Sequence, residues 1–484
     1  MVQSNLKKGG NVSKIHKIFI GGRWIETATP VKVTSPFDGS AVGVTYLAGQ
    51  PEIEDAIISA VKAFEVMKRM ASHEKAALIG RVIEGLGARA DELARIICLE
   101  SGKPIRDARA EVKRAVGTFQ IALEEAKRPQ GSVVPVDIAP GSEGRLAIVR
   151  RFPVGPVLAI CPFNFPLNLV VHKVAPAMAC GNPIIVKPAP KAPITALILA
   201  EIIEKAGYIK GAVSVMPASN EDAERLVCDD RIKKLSFTGS AAVGWRLKSK
   251  AGAKRVTLEL GGNAGVIVHS DADLESASAR CASGAFLYAG QVCISVQRVY
   301  VHSGVFERFK ELFLGHCSDL KLGDPLDEAT DIGPMIDEGA CARSEEWVKE
   351  AVLGGAKLLI GGRRRGRFFE PTVLTGTLPS MKVCSEEVFA PIVSIEPYEV
   401  FEDAIDMVNG SLYGLQAGVF TKDISRIMYA YERLEVGGVI ANDIPTYRTD
   451  NMPYGGVKMS GFGREGVRYA IEEMTEPRLL VIKA

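Results

Sequence analysis

From about residue 146 onward, short β-branched runs alternate with longer amphipathic stretches, the signature of βαβ units around a mostly parallel sheet. Val157 to Cys161, Pro183 to Val186, Val213 to Met216 and Lys234 to Phe237 are each too short for a buried helix and are bounded by turn residues, which predicts strands. Pro193 to Ala206 predicts a helix, with Pro in its first turn, a broad apolar face, Lys205 in its last turn and Gly207 as a stop. A second alternation follows, with strands predicted at Val266 to Val268, Val299 to Val301, Leu358 to Ile360, Ile392 to Ile395 and Val439 to Ala441. Before residue 125 the period is helical, as in Pro51 to Met70 and Ala76 to Leu86, so helices are expected to wrap the first sheet. Residues 128 to 148 place Pro129, Gly131, Pro135, Pro140 and Gly141 among β-branched residues, which suits an extended ribbon. Glu476 to Lys483 predicts a last strand.

Composition narrows this α/β picture. A chain of 484 residues exceeds one ordinary core and predicts two or three packed domains. With 59 Lys and Arg against 57 Asp and Glu, the net charge of +2 asks for neither nucleic acid nor an anionic membrane. The polar, basic stretch Met1 to Lys17 lacks the apolar core of a secretory signal and reads as a loose tail. No later run reaches the length of a membrane span. The 9 cysteines form no CxxC pair, and the histidines show no HExxH or HxH spacing. A cytoplasmic protein with reduced thiols and no metal is the expectation.

Three places carry candidate chemistry. Cys293, in Tyr288-Ala-Gly-Gln-Val-Cys293, follows a helical pattern and is expected to be exposed at a turn. Glu259 ends an apolar run before Gly261-Gly262, where desolvation would raise its pKa toward that of a usable base. Asn164, in Pro162-Phe-Asn-Phe-Pro166, sits in a rigid turn after a strand and can offer an N–H to a developing oxyanion. Taken singly, each has an ordinary alternative: an inert core thiol, a buried ion-pair partner, a turn-capping amide.

Together with Phe237-Thr-Gly-Ser240 and Glu386-Glu-Val-Phe389-Ala-Pro391, these motifs, in this order and spacing, resemble the aldehyde dehydrogenase superfamily over roughly residues 17 to 484. The chain is most similar in character to its non-acylating lactaldehyde, non-phosphorylating glyceraldehyde-3-phosphate and semialdehyde dehydrogenases. The resemblance implies a Rossmann-type dinucleotide-binding domain (17–127 and 149–257), a second α/β catalytic domain (258–461), and an oligomerisation element made of the β-ribbon 128–148 and the C-terminal segment 462–484. Residues 1–16 are left as a flexible tail. A homodimer or homotetramer is implied. So is NAD(P)-dependent oxidation of a small aldehyde to its acid, with Cys293 as nucleophile, Glu259 as general base and Asn164 as oxyanion donor beside the Cys293 backbone N–H.

On the cofactor side, Met216-Pro-Ala-Ser-Asn-Glu lacks the GxGxxG spacing. The resemblance instead puts the pyrophosphate near Gly239, Ser240 and Gly244, the adenosine ribose near Lys187, and the nicotinamide ribose on Glu387, with Phe163 and Phe389 alongside. Where NAD-specific relatives carry Glu, this chain has Pro190, followed by Lys191, so NADP is expected to be accepted and even preferred over NAD. The aldehyde pocket is expected to contain Phe165, Leu169, His172, Ile294 and Arg448, the last awaiting either Asp450 or an anionic or hydroxylated substrate. Two alternatives are weighed. In a coenzyme A-acylating semialdehyde dehydrogenase the resemblance implies no carboxylate at the place of Glu259; a catalytically silent structural protein would not need the Cys293, Glu259 and Asn164 set.

Overall fold

The strands Val157–Ile160, Ile184–Lys187 and Val213–Val215 are buried at every position, as parallel strands covered on both faces must be. In the computed structural model, which describes residues 14–128 and 131–483, they form the middle of an eight-stranded sheet. Its order is Arg23–Ile25, Ile18–Ile20, Val213–Val215, Ile184–Lys187, Val157–Ile160, Lys234–Thr238, Arg255–Glu259, Gly461–Phe462. The five central strands run parallel, while Ile18–Ile20 and Gly461–Phe462 close the two sides antiparallel. From Val157–Ile160 the chain winds first one way, then crosses to Lys234–Thr238 and winds the other. The crevice between those two strands is therefore the topological switch point, where open α/β sheets bind ligands at their carboxyl ends.

The second alternation builds a seven-stranded sheet in the order Lys357–Ile360, Thr372–Thr375, Ile392–Tyr398, Val296–His302, Ala264–Val268, Gln416–Phe420, Gly438–Ala441. The helix Ile194–Lys205 matches its predicted span and packs in the core of the first sheet. Gly131–Val134, Arg145–Pro153 and Thr475–Lys483 form a separate antiparallel ribbon, paired from Pro153↔Thr475 to Arg145↔Lys483. Val133, Leu479, Leu480, Val481 and Ile482 are exposed on it.

Three expectations need correction. The region before residue 125 is not only helical: Ile18–Ile20 and Arg23–Ile25 extend the first sheet, and Pro30–Thr34 pairs with Ala41–Tyr46. Ile18–Ile20 and Arg23–Ile25, of 3 residues each, are too short to display a period of two. The end of the expected tail is not loose, because Ile15 bridges Val44 and His16 is buried; residues 1–13 lie outside the described residues. The division expected at residues 257 and 258 falls inside Arg255–Glu259, a strand of the first sheet. No helix among the described residues is long and apolar enough to cross a membrane.

Candidate active site

At the switch point the turn Pro162–Asn164 faces Thr238–Ser240, and between them opens a cavity of about 630 Å³ that also reaches Glu259, Cys293, Glu387, Phe389 and Arg448. It brings together Phe163, Asn164, Phe165, Leu169, Gly239, Ser240, Glu259, Cys293, Ile294, Glu387, Phe389 and Arg448 of the sequence-predicted set. Lys187, Pro190, Lys191, Gly244 and His172 stand outside its lining.

Three chain segments meet at its centre, and glycines let them. A Cβ on Gly262 would fall 2.2 Å from the Cys293 carbonyl oxygen, and one on Gly261 would fall 2.2 Å from a Glu387 carboxylate oxygen. The Gly-Gly pair after Glu259 is thus a close-approach device. Gly262 N–H donates to Glu387 Oε1 at 3.1 Å. Burial pushes the Glu387 carboxyl up to about 7. Its loop is held from below by Gln297, whose amide donates to Glu386 O at 2.7 Å and accepts from Val388 N–H at 3.2 Å.

Cys293 is half-buried at the cavity floor, not exposed at a turn, and burial pushes its thiol up to about 12. The turn before it, Tyr288–Ala289–Gly290, is left-handed at all three residues, with φ of 48°, 53° and 67°. Such a turn persists only when its surroundings impose it. Here Tyr288 Oη donates to Ser101 O at 2.6 Å, Gln291 Oε1 accepts from Ile336 N–H at 2.9 Å, and Asn164 Nδ2 donates to Gln291 O at 2.9 Å. One N–H of the Asn164 amide is therefore engaged, and the second is left for a ligand.

Glu259 is 3% exposed and neither carboxylate oxygen has a hydrogen-bond partner. Burial, reinforced by the nearby charge of Glu465, raises its pKa well above the ordinary carboxyl value. Glu465 takes the opposite course: burial opposes ionisation, but Lys173, His172 and Arg448 hold it well below that range. Lys173 Nζ lies 2.6 Å from Glu465.

His172 is corrected as a pocket residue. It is buried behind the cavity, with Nε2 2.8 Å from Asp450 and Nδ1 2.7 Å from Arg448 Nη2. It lies on the helix Asn168–Cys180, which is buried from Asn168 to Ala179. Arg448 finds Glu465 at 3.3 Å, while Asp450, one of the two partners weighed for it, lies 4.0 Å away. Gly244 serves packing: a Cβ there would meet Leu260 at 2.3 Å. Lys187 is buried, and desolvation lowers its pKa. Lys191 pairs with Asp337 in a contact exposed to solvent.

The sequence reading missed Arg114, Tyr454, Arg343 and Lys103, all of which line the cavity. Asp107, Ala110, Glu111 and Arg114 share one face of the helix Ile105–Lys127 by their spacing of three and four. That face was visible in the sequence, but nothing there said that it looks onto Cys293. Arg114 Nη2 lies 2.7 Å from Asp450, and the Nε atoms of both Arg114 and Arg448 are buried without an acceptor.

Residues 24–480 match the aldehyde dehydrogenase family. A 3-sulfolactaldehyde dehydrogenase of Priestia aryabhattai is 46% identical over 470 residues, covering 97% of this chain and 98% of its own. The crystal structure of aldehyde dehydrogenase 21 from Physcomitrella patens, in complex with the reaction product succinate, superposes with a TM-score of 0.96 at 44% identity, covering 97% of this chain and 98% of that one. Glyceraldehyde-3-phosphate dehydrogenase GapN from Methanocaldococcus jannaschii, complexed with NADP, superposes at 0.90 with 39% identity, over 94% and 99% of the two chains.

Proposed function

Because the chain belongs to the aldehyde dehydrogenase family, and so is an oxidoreductase acting on small aldehydes, we propose that it oxidises a short aldehyde with an anionic tail to the carboxylic acid, using NAD(P) and a thioester on Cys293. The observation that carries the tail is the pair Arg114 and Arg448, two guanidinium-bearing residues that line the cavity of Cys293 together. A carboxylate, sulfonate or phosphate is the natural partner of a guanidinium, through charge-assisted hydrogen bonds. Around them Arg114, Arg448 and Lys173 face Asp450 and Glu465, three cationic groups against two anionic ones. That balance suits one anionic group. The sulfolactaldehyde relative and the succinate complex support the same substrate class.

In this reading the Cys293 thiolate adds to the carbonyl carbon, and the oxygen, now anionic, accepts from the free N–H of Asn164 and the Cys293 backbone N–H. A nicotinamide bound in the crevice would supply the hydride acceptor. Glu259 then removes a proton from the water that hydrolyses the thioester, which returns the thiolate. The residues present fit a dinucleotide. The crevice is a switch point, and Ser240 begins the helix Ala241–Lys250 with no side-chain cap bond, so first-turn N–H groups remain for a phosphate. Glu387, on the cavity wall, would accept from the ribose hydroxyls. The exposed apolar ribbon fits a second copy of the chain. Nine unpaired cysteines suit a reducing, cytoplasmic setting.

Arg448→Leu tests the tail. On succinic semialdehyde kcat/KM is expected to fall about ten- to a hundredfold, the size of one charge-assisted contact, while propionaldehyde changes little. Equal losses on both would assign Arg448 to support of its loop alone. For the cofactor, the exposed Lys191–Asp337 pair is weak enough for a phosphate to displace. We therefore expect kcat/KM with NADP to equal or exceed that with NAD; a value about a hundredfold lower would remove Lys191 from phosphate recognition.

A further inference from the structure

Beside the nucleophile stands a hydroxyl that the reaction scheme above does not use. Tyr454 is 3% exposed, and its Oη lies 3.2 Å from Cys293 Sγ. Its backbone is fixed by two hydrogen bonds exchanged with Glu465, at 3.0 and 2.6 Å. Its ring packs with Val292, Ile294 and Leu415, and the Arg448 guanidinium sits 3.5 Å from the ring centroid. The hydroxyl is thus aimed at the sulfur by elements that leave it little freedom.

We propose that Tyr454 is a further catalytic residue, whose hydroxyl donates a hydrogen bond to the Cys293 sulfur as thiolate, both when the sulfur attacks the aldehyde and when it leaves the thioester. The proposal rests on Cys293 being the nucleophile. A thiolate is a far better acceptor than a thiol, so the bond strengthens with charge on sulfur and favours the reactive form. The phenol keeps its proton throughout, since burial raises its pKa well above the usual value, and the neighbouring Cys293 adds to the rise. No proton passes through it, and no bond to sulfur forms or breaks at Tyr454.

The surroundings explain why such a donor is needed. Burial disfavours the thiolate most, and the carboxyls of Glu387, on the loop after Lys382–Ser385, and Glu259, at the end of Arg255–Glu259, oppose it as well. Against these stand the Tyr454 hydrogen bond and the Arg448 charge. Arg448 contributes through space and by drawing charge from the phenol ring beneath it.

Tyr454→Phe removes the oxygen and keeps the ring. In the full-length protein, the rate of Cys293 alkylation by iodoacetamide is measured against pH, with the labelled residue identified by mass spectrometry. The apparent thiol pKa is expected to rise by about one unit. The NAD(P)H burst and kcat at pH 7.5 should both fall about tenfold, with KM within about threefold of the parent. Should the variant fail to fold, replacing all tyrosines with 3-fluorotyrosine supplies a stronger donor, and the thiol pKa should drop. An unchanged thiol pKa and burst with label on Cys293 would overturn the role of Tyr454. Labelling that leaves Cys293 untouched, with activity lost, would instead overturn the assignment of the nucleophile.

Discussion

Cys293→Ala is expected to abolish aldehyde oxidation, with a loss of at least about 10⁴-fold in kcat and no burst of reduced cofactor. Cys293 is the one thiol among the residues lining the cavity, and its carbonyl is pressed against Gly262 so that the sulfur has a fixed place beside Asn164 and Glu259. The hydroxyls of Thr238, Ser240 and Thr446 line the same space. Thr238 accepts from Lys173, whose pKa is raised and which pairs with Glu465 as a cation, and neither Ser240 nor Thr446 has a base hydrogen-bonded to it, as a hydroxyl nucleophile requires. Rapid-mixing measurement of NAD(P)H formation checks this, together with intact-mass detection of an acyl adduct. Residual turnover above about one per cent of the parent would assign the chemistry to another group.

Glu259→Gln should separate the two halves of the reaction. The amide fills the same volume and keeps the polar character of the site, but it cannot take a proton from water. A burst near one NAD(P)H per subunit is expected to survive, followed by a steady state slowed about 10²- to 10⁴-fold. The pH dependence gives a second signature. Because burial and Glu465 raise the Glu259 pKa, its basic form appears only as pH climbs through that raised value, so parental turnover should rise along this limb. In the Gln variant the limb should vanish. A variant with near-normal turnover, or one that keeps the limb, would exclude Glu259 as the base.

The parts of this molecule legible in the sequence are those whose signal is local. Val157–Ile160 and Ile184–Lys187 announce themselves because a fully buried parallel strand is a short, unbroken apolar run, and Ile194–Lys205 because Pro, apolar face and Gly coincide. Glu259, Asn164 and Cys293 were legible because each sits in a motif whose neighbours are constrained: Gly261 and Gly262 by contact with Glu387 and Cys293, and Gln291 by its bonds to Ile336 and Asn164. Arg114 and Tyr454 were not. Arg114 lies 336 positions from its partner Asp450 in sequence, and only the closure of the fold makes them neighbours. His172 failed for the converse reason: a position four residues from Asn168 on a helix says which residues share a face, not whether that face meets the cavity or the core behind it.

The path of the chain from Gly461 onward reaches beyond catalysis. Gly461–Phe462 is the antiparallel edge strand of the first sheet, and Val467, Ile471 and Met474 of the following turn and helix lie within its core beside Val170 and Val174. Asn182 Nδ2 donates to Met474 O at 2.8 Å, and Val154 N–H donates to the same oxygen at 3.2 Å. The first sheet is therefore completed by residues synthesised more than two hundred positions after its central strands. During synthesis those strands must wait with part of their core uncovered, since loop closure over such a separation precedes the contacts that reward it. The nascent protein thus has a long interval of exposed apolar surface in which chaperone binding competes with aggregation, and that interval ends only when the C-terminal segment docks.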